Sequence, residues 1–127
     1  MTLDELASSL PNGLHDARLL RLSIDHVLRI ATPDPQIDVS TTDSQANYRD
    51  ARITLSGLVF CAVDPPDGRY PFDAPGPLTI DVGEGEPSTC AAVHPAVPTD
   101  AFLAWIFGAS WNSFVHISAR ESALSSL

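Results

Sequence analysis

The chain has 127 residues, 44% of them hydrophobic, and its 16 acidic side chains against 7 basic ones give a formal charge of −9. That length suits one domain, residues 1–127, with enough apolar content for a core and no disordered-tail composition. Such a negative field repels phosphate backbones and anionic headgroups, so nucleic acid and membrane are not expected partners, whereas a basic protein is attracted.

All seven basic residues are arginine. With no lysine there is no Walker A loop, no Schiff-base amine and no kinase strand lysine. Cys61 and Cys90 form no metal or redox spacing, and the apolar run around Cys61 reads as core. The acidic start Met1-Thr2-Leu3-Asp4-Glu5-Leu6 lacks the features of a signal peptide, and no run is long enough to span a bilayer, so a cytoplasmic location is expected.

Residues 2–10 read as a short helix. Thr2 can cap it, Asp4 and Glu5 suit its positive end, and Leu3, Leu6 and Leu10 share a side before Pro11-Asn12-Gly13 stops it. From Asp16 the period becomes two, with Leu20, Leu22 and Ile24 on one strand face and Arg21, Ser23 and Asp25 on the other. Leu28, Ile30, Ile37 and Val39 continue the alternation, and Pro33 and Pro35 point to an edge or a bulge. Residues 41–47 are loop. Ala51, Ile53 and Leu55 then alternate with polar neighbours, and Gly57 suggests a bulge before the apolar run 58–63.

Residues 64–77 hold five prolines and two glycines and read as loop. Leu78, Ile80 and Val82 resume a strand that Gly83 to Pro87 end. Residues 102–107 fit a strand or a short helix. The strand is preferred because Phe114, Val115, His116 and Ile117 alternate beyond the hairpin-sized break 108–112. One helix and about six strands, without strand–helix alternation, predict a mainly β (α+β) fold: an antiparallel sheet forming a sandwich or half-open barrel, with one short N-terminal helix.

Candidate chemistry is sparse. His15-Asp16 can serve a metal but sits between a glycine turn and a strand, where a structural pair is the plainer reading. His94 and His116 lack ligand spacing. Asp64-Pro65-Pro66-Asp67 places two carboxylates at a strand end, a pattern shared by turns, Ca²⁺ sites and glycosidases. Gly83-Glu84-Gly85-Glu86 is no dinucleotide loop, because Pro87 replaces the helix start and two glutamates repel phosphate. No serine lies in a Gly-x-Ser-x-Gly elbow. Trp105, Trp111, Tyr48, Tyr70 and the arginines are interface-forming types, and Trp111 either folds back on the core or faces a partner. No catalytic residue, cofactor or metal is assigned. His15, Asp16, Trp111, Asn112 and His116 are the candidate binding residues.

The stretch Leu10-Pro11-Asn12-Gly13-Leu14-His15-Asp16-Ala17, leading to Ile24-Asp25, resembles the opening of small bacterial proteins with an "(F/L)HDA" start. Trp111-Asn112-Ser113-Phe114-Val115-His116 and Ala119-Arg120 resemble their closing strand. Those little-characterised families include immunity proteins of polymorphic toxin systems, and they are treated as non-enzymatic. The resemblance implies a binding role, with His15, Asp16, Trp111 and Asn112 at the matching positions and Leu14 where an aromatic often stands. The leading expectation is therefore a protein-interaction domain of immunity type that binds a basic toxin domain. The alternatives are a small metal-dependent or small-molecule-binding enzyme with a pocket around His15 and Asp16, and a homo-oligomer that hides its aromatic hairpin.

Overall fold

The computed structural model describes residues 1–41, 45–65, 67–70, 76–87 and 95–126. The expectations resting on residues 42–44, Pro66, Pro71, Pro75, Cys90 and His94 lie outside those residues.

Helix α1 (Leu3–Ser8) begins as its sequence dictates. The Thr2 hydroxyl accepts the Glu5 N–H while the Glu5 carboxylate accepts the Thr2 N–H, satisfying two otherwise orphaned donors. Leu3 and Leu6 point inward and are buried, and Leu10, beyond the helix, packs against the same core. The nearest packing partners of α1 are the sixth, seventh and ninth strands described next.

Nine strands follow among the described residues: β1 (Arg18–Asp25), β2 (Ile30–Asp38), β3 (Tyr48–Asp50), β4 (Arg52–Ser56), β5 (Phe60–Val63), β6 (Leu78–Glu84), β7 (Phe102–Gly108), β8 (Ser113–Ala119) and β9 (Glu121–Ser126). They pair antiparallel throughout in the order β5-β8-β7-β6-β1-β2-β4-β9, with β3 alongside β2. The fold is thus mainly antiparallel β with one short helix, as expected, and the sheet is open rather than a closed barrel. The strand number exceeds the expected six. Short β3 and serine-rich β9 carry no alternation of large apolar residues, so only their pairing with β2 and β4 makes them strands.

Three corners fold the sheet over its core. In β6, Leu78 and Thr79 pair with β1 while Ile80 to Glu84 pair with β7. Gly57 turns the chain from β4 towards β5 at φ +62°, a conformation that favours glycine, and a Cβ there would lie 2.9 Å from that of Arg120. Arg120 makes the corner between β8 and β9. Its N–H donates to Ser56 O, Nη1 to Gly57 O and Nε to Asp100. The expected bulge at Gly57 is thus a corner between sheet halves. Ile37, Ile53, Leu55, Ile80, Ile106 and Ile117 fill the interior.

Two details of β1 and β2 correct the simple alternation. The β1–β2 register shifts between Leu19 and Arg21. This bulge puts Leu19 rather than Leu20 inside together with Leu22 and Ile24, and leaves Leu20 exposed. Pro33 and Pro35 lie in an interior strand, not on an edge. Pro35 O accepts the Ala51 N–H, so by alternation both missing N–H groups face the side where β4 leaves β2, between the pairs at Ala31 and Gln36. Leu28 belongs to the turn rather than to β2. There Asp25 Oδ1 accepts the N–H groups of Val27 and Leu28. Residues 102–107 are strand, as preferred. No helix among the described residues is long and apolar enough to cross a membrane.

Candidate functional site

The strands β6, β7, β8 and β5 have two apolar faces. One face joins the core through Ile80, Val82, Ala104, Ile106, Val115 and Ile117. The other is built from cross-strand rows fixed by register. In one row Asp81 pairs with Phe107 and Phe107 with Phe114, and the Asp64 N–H then donates to Phe114 O just past the end of β5. A carboxylate therefore ends an aromatic pair on either side, three strand spacings or roughly 14 Å apart along the row. The next row runs Gly83, Trp105, His116, Ala62.

The rings interlock. Phe107 and Phe114 are tilted with centroids 4.8 Å apart, Trp105 meets Phe114 edge-on at 5.5 Å, and His116 stacks on Phe114 at 6.1 Å. Glycines give the tryptophans their seats. A side chain on Gly83 would run into the Trp105 ring and one on Gly108 into Trp111. Gly83 therefore lies inside β6 rather than ending it, and the strand continues to Glu84.

Over this face lies a cavity of about 560 Å³, lined by Asp64, Pro65, Asp67, Asp81, the rings of Trp105, Phe107 and Phe114, and the turn residues Asn112 and Ser113. Each of its three carboxylates is already oriented. His116 Nε2 lies 2.7 Å from Asp64 Oδ1, in a pair where His116 is 0% and Asp64 8% exposed. Asp67 accepts a fork from Arg69 at 3.2 and 2.9 Å, accepts the Arg69 N–H, and receives Asn112 Nδ2 at 3.2 Å. These donors, Arg69 foremost, hold the Asp67 carboxyl well below the usual carboxylate range. His15 Nδ1 sits 3.2 Å from Asp81 Oδ1, with the Asp81 side chain 46% exposed. The Asp81 hydrogen bond, and then the charge of Asp16, raise the His15 pKa above its ordinary value.

Three of the five residues singled out from sequence converge here. Asn112 lines the cavity, His116 orients Asp64 and His15 orients Asp81. The other two do not line it. Asp16, at φ +57°, faces His15 Nε2 at 3.3 Å, and its carbonyl accepts the Tyr48 hydroxyl. Trp111 folds back over Gly108 and packs against the core. His15 and Asp16 do not line this cavity; His15 meets it through Asp81. Among the described residues, no group of three or more His, Cys, Asp or Glu can hold a metal ion. Cys61 is half-buried opposite Ile117, where burial pushes its thiol pKa up.

Asp81, Phe107 and Phe114 were missed as site residues, and Trp105 stood out only as an interface-forming type. Their signal is present: Trp105 and Phe107 alternate with the inward Ala104 and Ile106, so β7 carries large rings on the face away from the core. Held carboxylates around ring faces accept hydrogen bonds and attract cations.

No protein family and no curated protein matches the chain. Among solved structures it is similar to an uncharacterised protein from Neisseria gonorrhoeae, with a TM-score of 0.52 and 15% identity over 89% of this chain and 93% of that one. At that identity the likeness speaks for the fold alone.

Proposed function

We propose that this chain is a non-enzymatic cytoplasmic protein-interaction domain of immunity type, which binds a basic protein domain. One observation carries the reading: the Asp81-Phe107-Phe114-Asp64 row, an aromatic floor between oriented carboxylates under an open cavity. Rings at the centre and charge at the rim are how protein interfaces combine affinity with steering. The net charge of −9 adds a long-range pull on a basic partner. The resemblance of the Leu14-His15-Asp16-Ala17 opening to immunity proteins agrees with it.

The test is capture from a lysate of the native host, with the purified protein as bait, followed by binding kinetics. The expected result is a near-stoichiometric basic protein whose association slows steeply as salt rises. An empty bait, or an on-rate indifferent to salt, would sink the reading.

The cavity volume favours a second reading, a small-molecule-binding enzyme, because about 560 Å³ falls within the usual range for ligand pockets. Its metal-dependent form has a direct check. Stoichiometric metal in protein purified without a histidine tag, lost in His15→Ala, would support it, and substoichiometric metal unchanged by that substitution would exclude it.

A further inference from the structure

The rim of the cavity already holds one guanidinium, and it belongs to the chain itself. Arg69 forks onto Asp67 with both carboxylate oxygens engaged. Asp81 has the same chemistry and a different occupancy. Its Oδ1 accepts the Val82 N–H at 3.0 Å and faces the His15 ring at 3.2 Å, no arginine of the chain is paired with it among the described ion pairs, and its side chain is 46% exposed. It stands directly across the strands from Phe107, with Trp105 two residues along β7 on the same face.

We propose that the Asp81 end of this row is a guanidinium site: it takes an arginine side chain of the protein partner, stacked on the Phe107 and Trp105 rings and paired to the Asp81 carboxylate. This rests on the interaction reading and deepens it. Three features select arginine. A planar guanidinium stacks on ring faces, as Arg18 does over Tyr48 at 3.9 Å from the ring centroid in this same molecule. It pairs with both oxygens of a carboxylate, as Arg52 does with Asp34 and Arg69 with Asp67. Among the described residues three carboxylates line the cavity, and the one guanidinium at its rim, Arg69, is engaged by Asp67, so the Asp81 end attracts a positive group and repels an acidic one.

The experiment titrates the full chain with a short arginine-rich peptide and with the same peptide bearing citrulline, its uncharged isostere, at near-physiological salt. Trp105 in the cavity wall supplies a fluorescence readout. The arginine peptide is expected to bind at least about tenfold tighter than the citrulline peptide, and Asp81→Asn and Phe107→Leu are each expected to weaken it about fivefold or more. Asp4→Asn, on α1 away from the cavity, removes the same charge and is expected to change affinity less than about twofold. Circular dichroism of Phe107→Leu checks its fold, and the exposed Asp81 gives a second variant independent of packing. Equal weakening by Asp4→Asn would mean that the peptide reads only net charge, and equal binding of the citrulline peptide would mean that charge is not read. Either overturns the site, as does an arginine peptide that does not bind. The captured partner separates the two proposals. If wild type and Asp81→Asn retain it equally, the guanidinium site falls and the interaction reading stands. If no partner is retained while the peptide result holds, the interaction reading falls, and what stands is guanidinium recognition at Asp81 without a protein partner to supply it.

Discussion

Two histidine–aspartate contacts flank the aromatic rows, and they differ in almost everything except composition. His116 and Asp64 lie 2.7 Å apart with the ring wholly buried, while His15 and Asp81 lie 3.2 Å apart with the ring 71% exposed. Each orients a carboxylate of the same cavity. In the first, both groups have left water, so neither can lose its partner without leaving a desolvated polar atom behind. In the second, water replaces a lost partner at little cost, and salt screens what attraction there is. The lesson is that the Asp64 side belongs to the frame of the site and the Asp81 side to its adjustable rim.

The largest effect should come from the frame. His116→Ala removes a buried ring stacked on Phe114 and strands Asp64, so a loss of about 3 kcal/mol in unfolding free energy is expected. Denaturant unfolding measures it, with the midpoint falling and the slope kept. The comparison breaks if His15→Ala costs as much.

The next effect sharpens the comparison, because it strikes the floor between the two sides. Gly83→Ala places a methyl where the Trp105 ring lies, and Trp105 is the cross-strand partner of both Gly83 and His116. Overpacking of this kind costs about 2 kcal/mol. The displaced indole should also change tryptophan emission and weaken binding in the cavity. A variant with native stability and emission would mean that the Trp105 seat is looser than the packing implies.

How much of this was legible in the sequence follows the same division. Helix α1 was readable because its signals are local: Thr2, Glu5 and the leucine spacing are all within ten residues. The strand nature of 102–107 was readable because Phe114 to Ile117 continue the alternation across a short turn. The parity of β1 was misread, since nothing within β1 announces that β2 will pair with a bulge at Leu20. The site was half-legible for a similar reason. Asn112 and the two histidines stood out by type, but Asp81 looked like any polar residue between Ile80 and Val82. Only the register that sets it opposite Phe107 gives it a role. Long-range pairing is what a linear pattern cannot carry.

The smallest effect is also the most specific, and it concerns the rim. Asp81 and Asp16 both favour the protonated His15 ring, so its pKa in the folded protein lies above the ordinary imidazole value of about 6.5. The sign follows by linkage. A raised folded pKa means that the folded state binds the proton more tightly than the unfolded one, so the contribution of this contact is fully present below the unfolded value and is lost as pH rises through the folded value. An NMR titration of the His15 ring should therefore show a midpoint above that of an unfolded control. Asp81→Asn should bring the midpoint down more than Asp16→Asn, because the hydrogen bond to Asp81 is the larger cause. High salt should bring it down as well, as befits an exposed contact. If His15 titrates at its unfolded value in the wild type, Asp81 is not held by His15. The rim carboxylate would then be as free as its exposure allows, and the orientation of the guanidinium site would rest on the Val82 N–H alone.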